Sequence, residues 1–138
     1  MKLLKTLSLS LLLSMSTAAS AEVAVIVNSA NANNLSESDI SRAFLGKLKT
    51  FADGQTINAV NSKAGNQARG EFEKLVLKKS SAQVKAYWSK RLFTGKGKPL
   101  KELASDADII SFVASTPNAI GYVDASSVDG SVKVLKSF

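Results

Sequence analysis

The sequence predicts an α/β domain, a small mixed sheet covered by helices, and three observations lead there. Val23-Ala24-Val25-Ile26-Val27 is an unbroken apolar run rich in β-branched residues, the pattern of a strand buried on both faces rather than one with a wet side. Three further short runs, Ile57-Asn58-Ala59-Val60, Ala119-Ile120-Gly121-Tyr122-Val123 and Ser131-Val132-Lys133-Val134-Leu135, are separated from it and from one another by stretches that mostly have helical spacing. The last of them follows an Asp129-Gly130 turn and is expected at the sheet edge, where antiparallel pairing would make the sheet mixed.

Ahead of the first strand, residues 1–21 have a basic head (Lys2, Lys5), an apolar run over 7–15 and small residues ending in Ala19-Ser20-Ala21. That is the layout of a secretory signal peptide cleaved after Ala21, so the chain is expected to be exported, with residues 22–138 forming one domain. The apolar run is too short to span a bilayer, and no later segment approaches the roughly 20 apolar residues that a spanning helix requires.

Two absences narrow the chemistry. With no cysteine among the 138 residues, neither a disulfide framework nor a thiolate metal site is available. With no histidine, the usual general base, the common metal ligand and the Ser-His-Asp arrangement are gone together. No metal, no cofactor and no catalysis are expected. Glu71 and Glu73 alternate faces of a helix, and solvation is their expected role.

Charge points to anionic partners. Both basic residues of the leader are lysines and it holds no acid, so the remainder carries 16 basic against 11 acidic side chains. Residues 74–101 hold nine of those basic residues and no acid, a block able to attract anions over a Debye length or simply to keep the surface solvated. For an exported chain the expected anions are phosphate-bearing metabolites, lipid head groups or acidic envelope polymers, and not nucleic acid.

Helix signals fill the intervals. Ser36 is placed to cap a helix with Asp39 at its third position and Ile40, Ala43 and Phe44 on one face, ending at Gly46. Phe51 should anchor the connection that turns at Asp53-Gly54. Ala68, Phe72, Leu75 and Val76 recur at helical spacing, Ser80-Ser81 breaks that helix and caps the next, and Val84, Tyr87, Trp88, Arg91 and Leu92 follow its buried stripe. Phe93-Thr94-Gly95-Lys96-Gly97-Lys98-Pro99 reads as a basic loop without the spacing of a phosphate-binding P-loop. Ser105-Asp106-Ala107-Asp108 opens a last helix, buried through Ile109, Phe112 and Val113 and ended by Thr116-Pro117-Asn118.

The candidate site lies where the second strand runs through a small polar loop into a helix. There Asn61, Ser62, Lys63, Gly65, Asn66, Gln67 and Arg69 form a stretch whose backbone N–H groups and helix start suit an anion. The same stretch also reads as a solvated turn before a surface helix.

Taken in order, Val25-Ile26-Val27-Asn28, Ile40-Ser41-Arg42-Ala43-Phe44-Leu45-Gly46-Lys47, the Asp53-Gly54 turn, Ile57-Asn58-Ala59-Val60, the glycine loop, Phe72, Trp88 and the segment Phe112-Val113-Ala114-Ser115-Thr116-Pro117-Asn118-Ala119-Ile120-Gly121-Tyr122-Val123 resemble one family. It is the periplasmic phosphate-binding proteins of ABC transporters, within the type II periplasmic-binding-protein-like group. The resemblance implies a single lobe of that fold, lacking the N-terminal lobe of the full-length members. It also implies periplasmic binding of phosphate or another small oxyanion, linked to ABC-type uptake and without chemistry. An ABC permease, an envelope protein or a second copy of the chain would be the partner. The family's phosphate loop carries an Arg-Arg pair and then Asp-Gly-Ser-Gly-Thr; anchored on Gly65 and Phe72, this chain has Asn61 and Ser62 at the arginines and Asn66-Gln67-Ala68 at Ser-Gly-Thr. Only Gly65 carries over, and Arg69, which is not a family residue, could supply the missing cation. The alternative is an envelope interaction module that keeps the lobe, has lost transport and docks through the basic block.

Overall fold

The computed structural model describes residues 22–138; the predicted leader and its cleavage point lie outside the described residues. The first strand, β1 (Val23–Asn28), is buried along its whole length. Val23, Val25 and Val27 enter one core with Phe44, Phe72, Trp88 and Tyr122, while Ala24 and Ile26 enter a second with Val60, Ile109, Val113 and Val123. Successive side chains of a strand point to opposite faces, so a strand covered on both must be apolar at every step. At its end Asn28 is buried and donates to the carbonyls of Val113 and Ala114 at 2.9 and 3.0 Å, tying the strand to the end of the last helix.

β1 pairs antiparallel with β4 (Ala119–Asp124) on one side and β5 (Val132–Ser137) on the other. β2 (Asn58–Ser62) runs parallel to β4 and to β3 (Lys101–Leu103), which gives the order β3-β2-β4-β1-β5. The sheet is therefore mixed, with the last strand at an edge. Exposed Lys133 and Lys136 on β5 blunt that edge against further pairing. Strand ends differ from the sequence reading, with β5 displaced to Val132–Ser137 and β1 and β4 each one residue longer. β2 starts one residue later and continues through Asn61 and Ser62, and β3 is a strand where none was expected.

Among the described residues four α-helices pack around the sheet. α1 (Glu37–Phe44) is capped by Ser36, whose Oγ accepts from the Asp39 N–H at 3.1 Å. α2 (Gln67–Phe72) is capped by Asn66 and runs without a break into a π-helical segment, Glu73–Leu77. α3 (Ser81–Phe93) begins with a reciprocal capping box between Ser80 and Gln83, and α4 (Asp106–Ser115) begins with Ser105 accepting from the Asp108 N–H. Val84 and Trp88 of α3 are in the core, but Leu92, expected on the same stripe, is 59% exposed. The reason is length: Trp88 is the last α3 side chain inside the core, and the final turn of the helix runs beyond it.

Candidate functional site

The site begins in β2, whose last two residues are tied down from below. Ser62 is fully buried, and its N–H donates to the Tyr122 hydroxyl at 3.2 Å. That hydroxyl in turn donates to Oδ1 of Asn61. Tyr122 is itself fully buried and stacks on Phe72, the rings 3.9 Å apart and 5° from parallel. Burial pushes the Tyr122 phenol well above the ordinary tyrosine range, so it stays a neutral donor. Asn61 and Ser62 are thus engaged in a core hydrogen-bond chain beneath the loop.

Above them the loop folds on itself. The Lys63 N–H donates to Leu103 O at 2.9 Å and the Asn66 N–H to Lys63 O at 3.1 Å, while the Lys63 side chain is exposed. Gly65 sits at φ +90°, a conformation that costs other residues and that glycine adopts freely. Asn66 Oδ1 accepts from the Ala68 N–H at 2.8 Å, and its Nδ2 reaches Asp106 at 3.4 Å. Among the described residues the N–H groups of Ala64, Gly65 and Gln67 have no protein acceptor. They are the free donors of the loop.

Arg69 is held from three sides. Its Nη1 donates to Ser62 O at 2.9 Å and lies 3.4 Å from Glu102 Oε2, and its Nε lies 3.6 Å from Glu73 Oε2. Glu73 is 3% exposed, and its Oε1 accepts from the Ser81 hydroxyl at 2.8 Å. The expectation that Glu73 is solvated is therefore wrong: the start of α3 and the Arg69 side chain both pack onto it. The cation expected to face an anion is balanced by two carboxylates, one of them on β3.

These parts border an open groove of about 630 Å³. It is lined by Gly65, Asn66, Gln67 and Arg69 from the loop and α2, by Val84, Lys85, Trp88 and Leu92 from α3, and by Pro99 and Glu102. The structure thus brings four of the seven expected residues to one groove, while Asn61, Ser62 and Lys63 do not line it. Sequence reasoning missed Glu73, Glu102 and Tyr122 as parts of the site. The spacing of Arg69 and Glu73, four residues apart on a helix, was a usable signal for the first. Chemically, the groove is bordered by three residues with unpaired N–H groups, by a guanidinium that faces two carboxylates, and by the apolar side chains of Val84, Trp88 and Leu92. Among the described residues no cluster of three metal-ligating side chains occurs.

The architecture is that of a single lobe of the type II periplasmic-binding-protein-like fold. Its structural neighbours are phosphate ABC transporter substrate-binding proteins. An ABC-type phosphate transport receptor from Vibrio cholerae matches with a TM-score of 0.66 and 22% identity, over 84% of this chain and 46% of the receptor. A phosphate ABC transporter substrate-binding protein with bound phosphate from Clostridium perfringens matches with a TM-score of 0.65 and 24% identity, over 84% of this chain and 45% of that one. PstS from Borrelia burgdorferi matches with a TM-score of 0.60 and 15% identity, over 84% and 47% of the two chains. At these identities the likeness is one of fold, and the chain spans a little under half the length of each of these proteins. No protein-family model matches the sequence, and no curated protein matches it. Among the described residues no helix is long and apolar enough to cross a membrane.

Proposed function

We propose that the chain is an exported, periplasmic solute-binding-like protein that takes phosphate or another small oxyanion at the loop end of the groove, without catalysis. The observation that carries this reading is the set of unpaired N–H groups at Ala64, Gly65 and Gln67, in a fold shared with a receptor solved with phosphate bound. Each charge-assisted hydrogen bond is worth about 1.5–3 kcal/mol. Losing translational and rotational freedom costs about 4 kcal/mol or more. With Arg69 balanced by Glu73 and Glu102, the expected affinity is weak, on the order of millimolar.

Tighter binding needs a second surface over the groove. We infer that an ABC permease, an envelope protein or a second copy of the chain supplies that surface. Linkage to ABC-type uptake belongs to the same proposal.

The test is calorimetric titration of residues 22–138 with inorganic phosphate, paired with Gln67→Pro. Gln67 is the first residue of α2 and its N–H has no intrahelical partner, so proline removes one cradle donor and leaves the helix ladder intact. The preceding Asn66, at φ −67° and ψ 131°, already has the backbone that proline demands of its predecessor. Saturable heat in the wild type and roughly tenfold weaker binding in the variant are expected. No heat at about 10 mM phosphate, well above a millimolar dissociation constant, would sink the reading.

A further inference from the structure

We propose that the C-terminal end of α3 and the turn after it form a docking surface for an anionic lipid bilayer, in which Phe93 and Leu92 enter the interface and the surrounding lysines read its charge. This surface adjoins the groove, which Lys85 and Leu92 also line, but the proposal does not rest on the oxyanion reading. Phe93 is 94% exposed and Leu92 59%, the two most exposed large apolar side chains among the described residues.

Their exposure is built into the helix end. The Lys96 N–H donates to Arg91 O at 2.8 Å and the Gly95 N–H to Leu92 O at 3.2 Å, with Gly95 at φ +69° reversing the chain. This pair of bonds closes many helices, and an apolar side chain after the turn commonly packs back over the last helical turn. Here the two positions that would make that contact are Lys96 and Arg91, so no apolar contact closes the end. Arg91 is itself held, with its guanidinium 5.6 and 5.9 Å from the Tyr87 and Trp88 rings and donating to Lys96 O at 3.2 Å. Phe93 and Leu92 are therefore displayed from a fixed turn rather than a loose chain end.

Charge selects the occupant. Lys85, Lys90, Lys96 and Lys98 are exposed, in a segment from 74 to 101 that contains no acid. A second copy meeting through this face would set like charges against one another, as a two-fold interface requires the same patch on both sides. An acidic protein would match the charge, but a protein interface of about 800 Å² per partner also needs a pocket shaped for Phe93. A bilayer needs none: its interface accepts a projecting aromatic ring while cations stay among the head groups.

The experiment is cosedimentation of the leaderless protein with vesicles of phosphatidylcholine alone or with roughly a third phosphatidylglycerol. Pelleting with the anionic vesicles only, weakened as salt rises from about 50 to about 500 mM, is expected. Phe93→Ser should weaken the partition at least about tenfold with an unchanged melting temperature. Lys96→Gln or Lys98→Gln should weaken it about fivefold each. Phe93→Trp should be quenched by lipids brominated near the glycerol, with the wild type and its buried Trp88 as reference. The proposal is overturned by absence of pelleting at low salt, by equal pelleting with neutral vesicles, or by anionic-vesicle binding that Phe93→Ser leaves unchanged. Tighter retention on polyglutamate than on vesicles would assign the patch to an acidic protein instead.

Discussion

Replacing Arg69 with alanine tests whether its charge is committed to the protein or free for a ligand. The Glu73 side chain is 4% exposed, and its carboxylate has one hydrogen bond, from Ser81, plus the Arg69 guanidinium at 3.6 Å. Removing one partner of a buried ion pair costs about 3–5 kcal/mol, because the other charge stays buried without compensation. The Arg69 side chain is 17% exposed and borders an open groove, so water can enter the vacated space and the low end, about 3 kcal/mol, applies. Glu102 is 43% exposed and adds little. For a domain near this size, that loss lowers the melting temperature by about 12–20 °C. Adding Glu73→Gln should restore at least about half the loss, since glutamine still accepts from Ser81 and leaves no charge behind. Urea denaturation followed by circular dichroism measures both, as midpoint shifts at constant slope. A single variant that loses under about 1 kcal/mol, with no recovery in the double variant, would refute the argument and leave Arg69 available to an anion.

Tyr122→Phe should cost about 1–3 kcal/mol, because it strips the buried Ser62 N–H of its acceptor and Asn61 Oδ1 of its donor; a loss under about 0.5 kcal/mol in urea melts would count against that chain. The raised pKa of Tyr122 makes stability fully present below about pH 10 and lost as pH rises further, because the unfolded phenol ionises first. The wild type should therefore lose stability more steeply than Tyr122→Phe above that pH, and parallel profiles would contradict it. Gly121→Ala should cost about 1–3 kcal/mol by overpacking, since its Cβ would lie 2.8 Å from Ile109 Cγ2 in the core of β4 and α4. Gln67→Pro, by contrast, should leave the melting temperature within about 2 °C of the wild type, and a larger drop would mean that its N–H is bonded in solution.

Local determinants were legible. The caps at Ser36, Ser80 and Ser105 join residues three apart, and the chain itself holds such partners in reach. The continuous apolarity of β1 follows from burial on both faces, so its place inside the sheet could be read before its partners were known. Other features depend on distant partners. β3 is three residues, two of them exposed, and it is a strand because β2 lies beside it some 40 residues earlier in the chain. Leu92 satisfies the helical period, yet where the core stops is a property of the sheet and not of the helix.

The same division runs through the loop and Arg69. That a polar, glycine-bearing loop joins a strand to a helix start at residues 61–69 is readable from the residues alone, because turn and cap chemistry are set by neighbours. Which of those groups remain available depends on contacts made across the fold. Folding brings Tyr122 under Asn61 and Ser62, Glu73 and Glu102 against Arg69, and α3 across the groove. Electrostatic compensation is pairwise and falls off with distance through space, so residues far apart in the chain set the charge that the loop can offer.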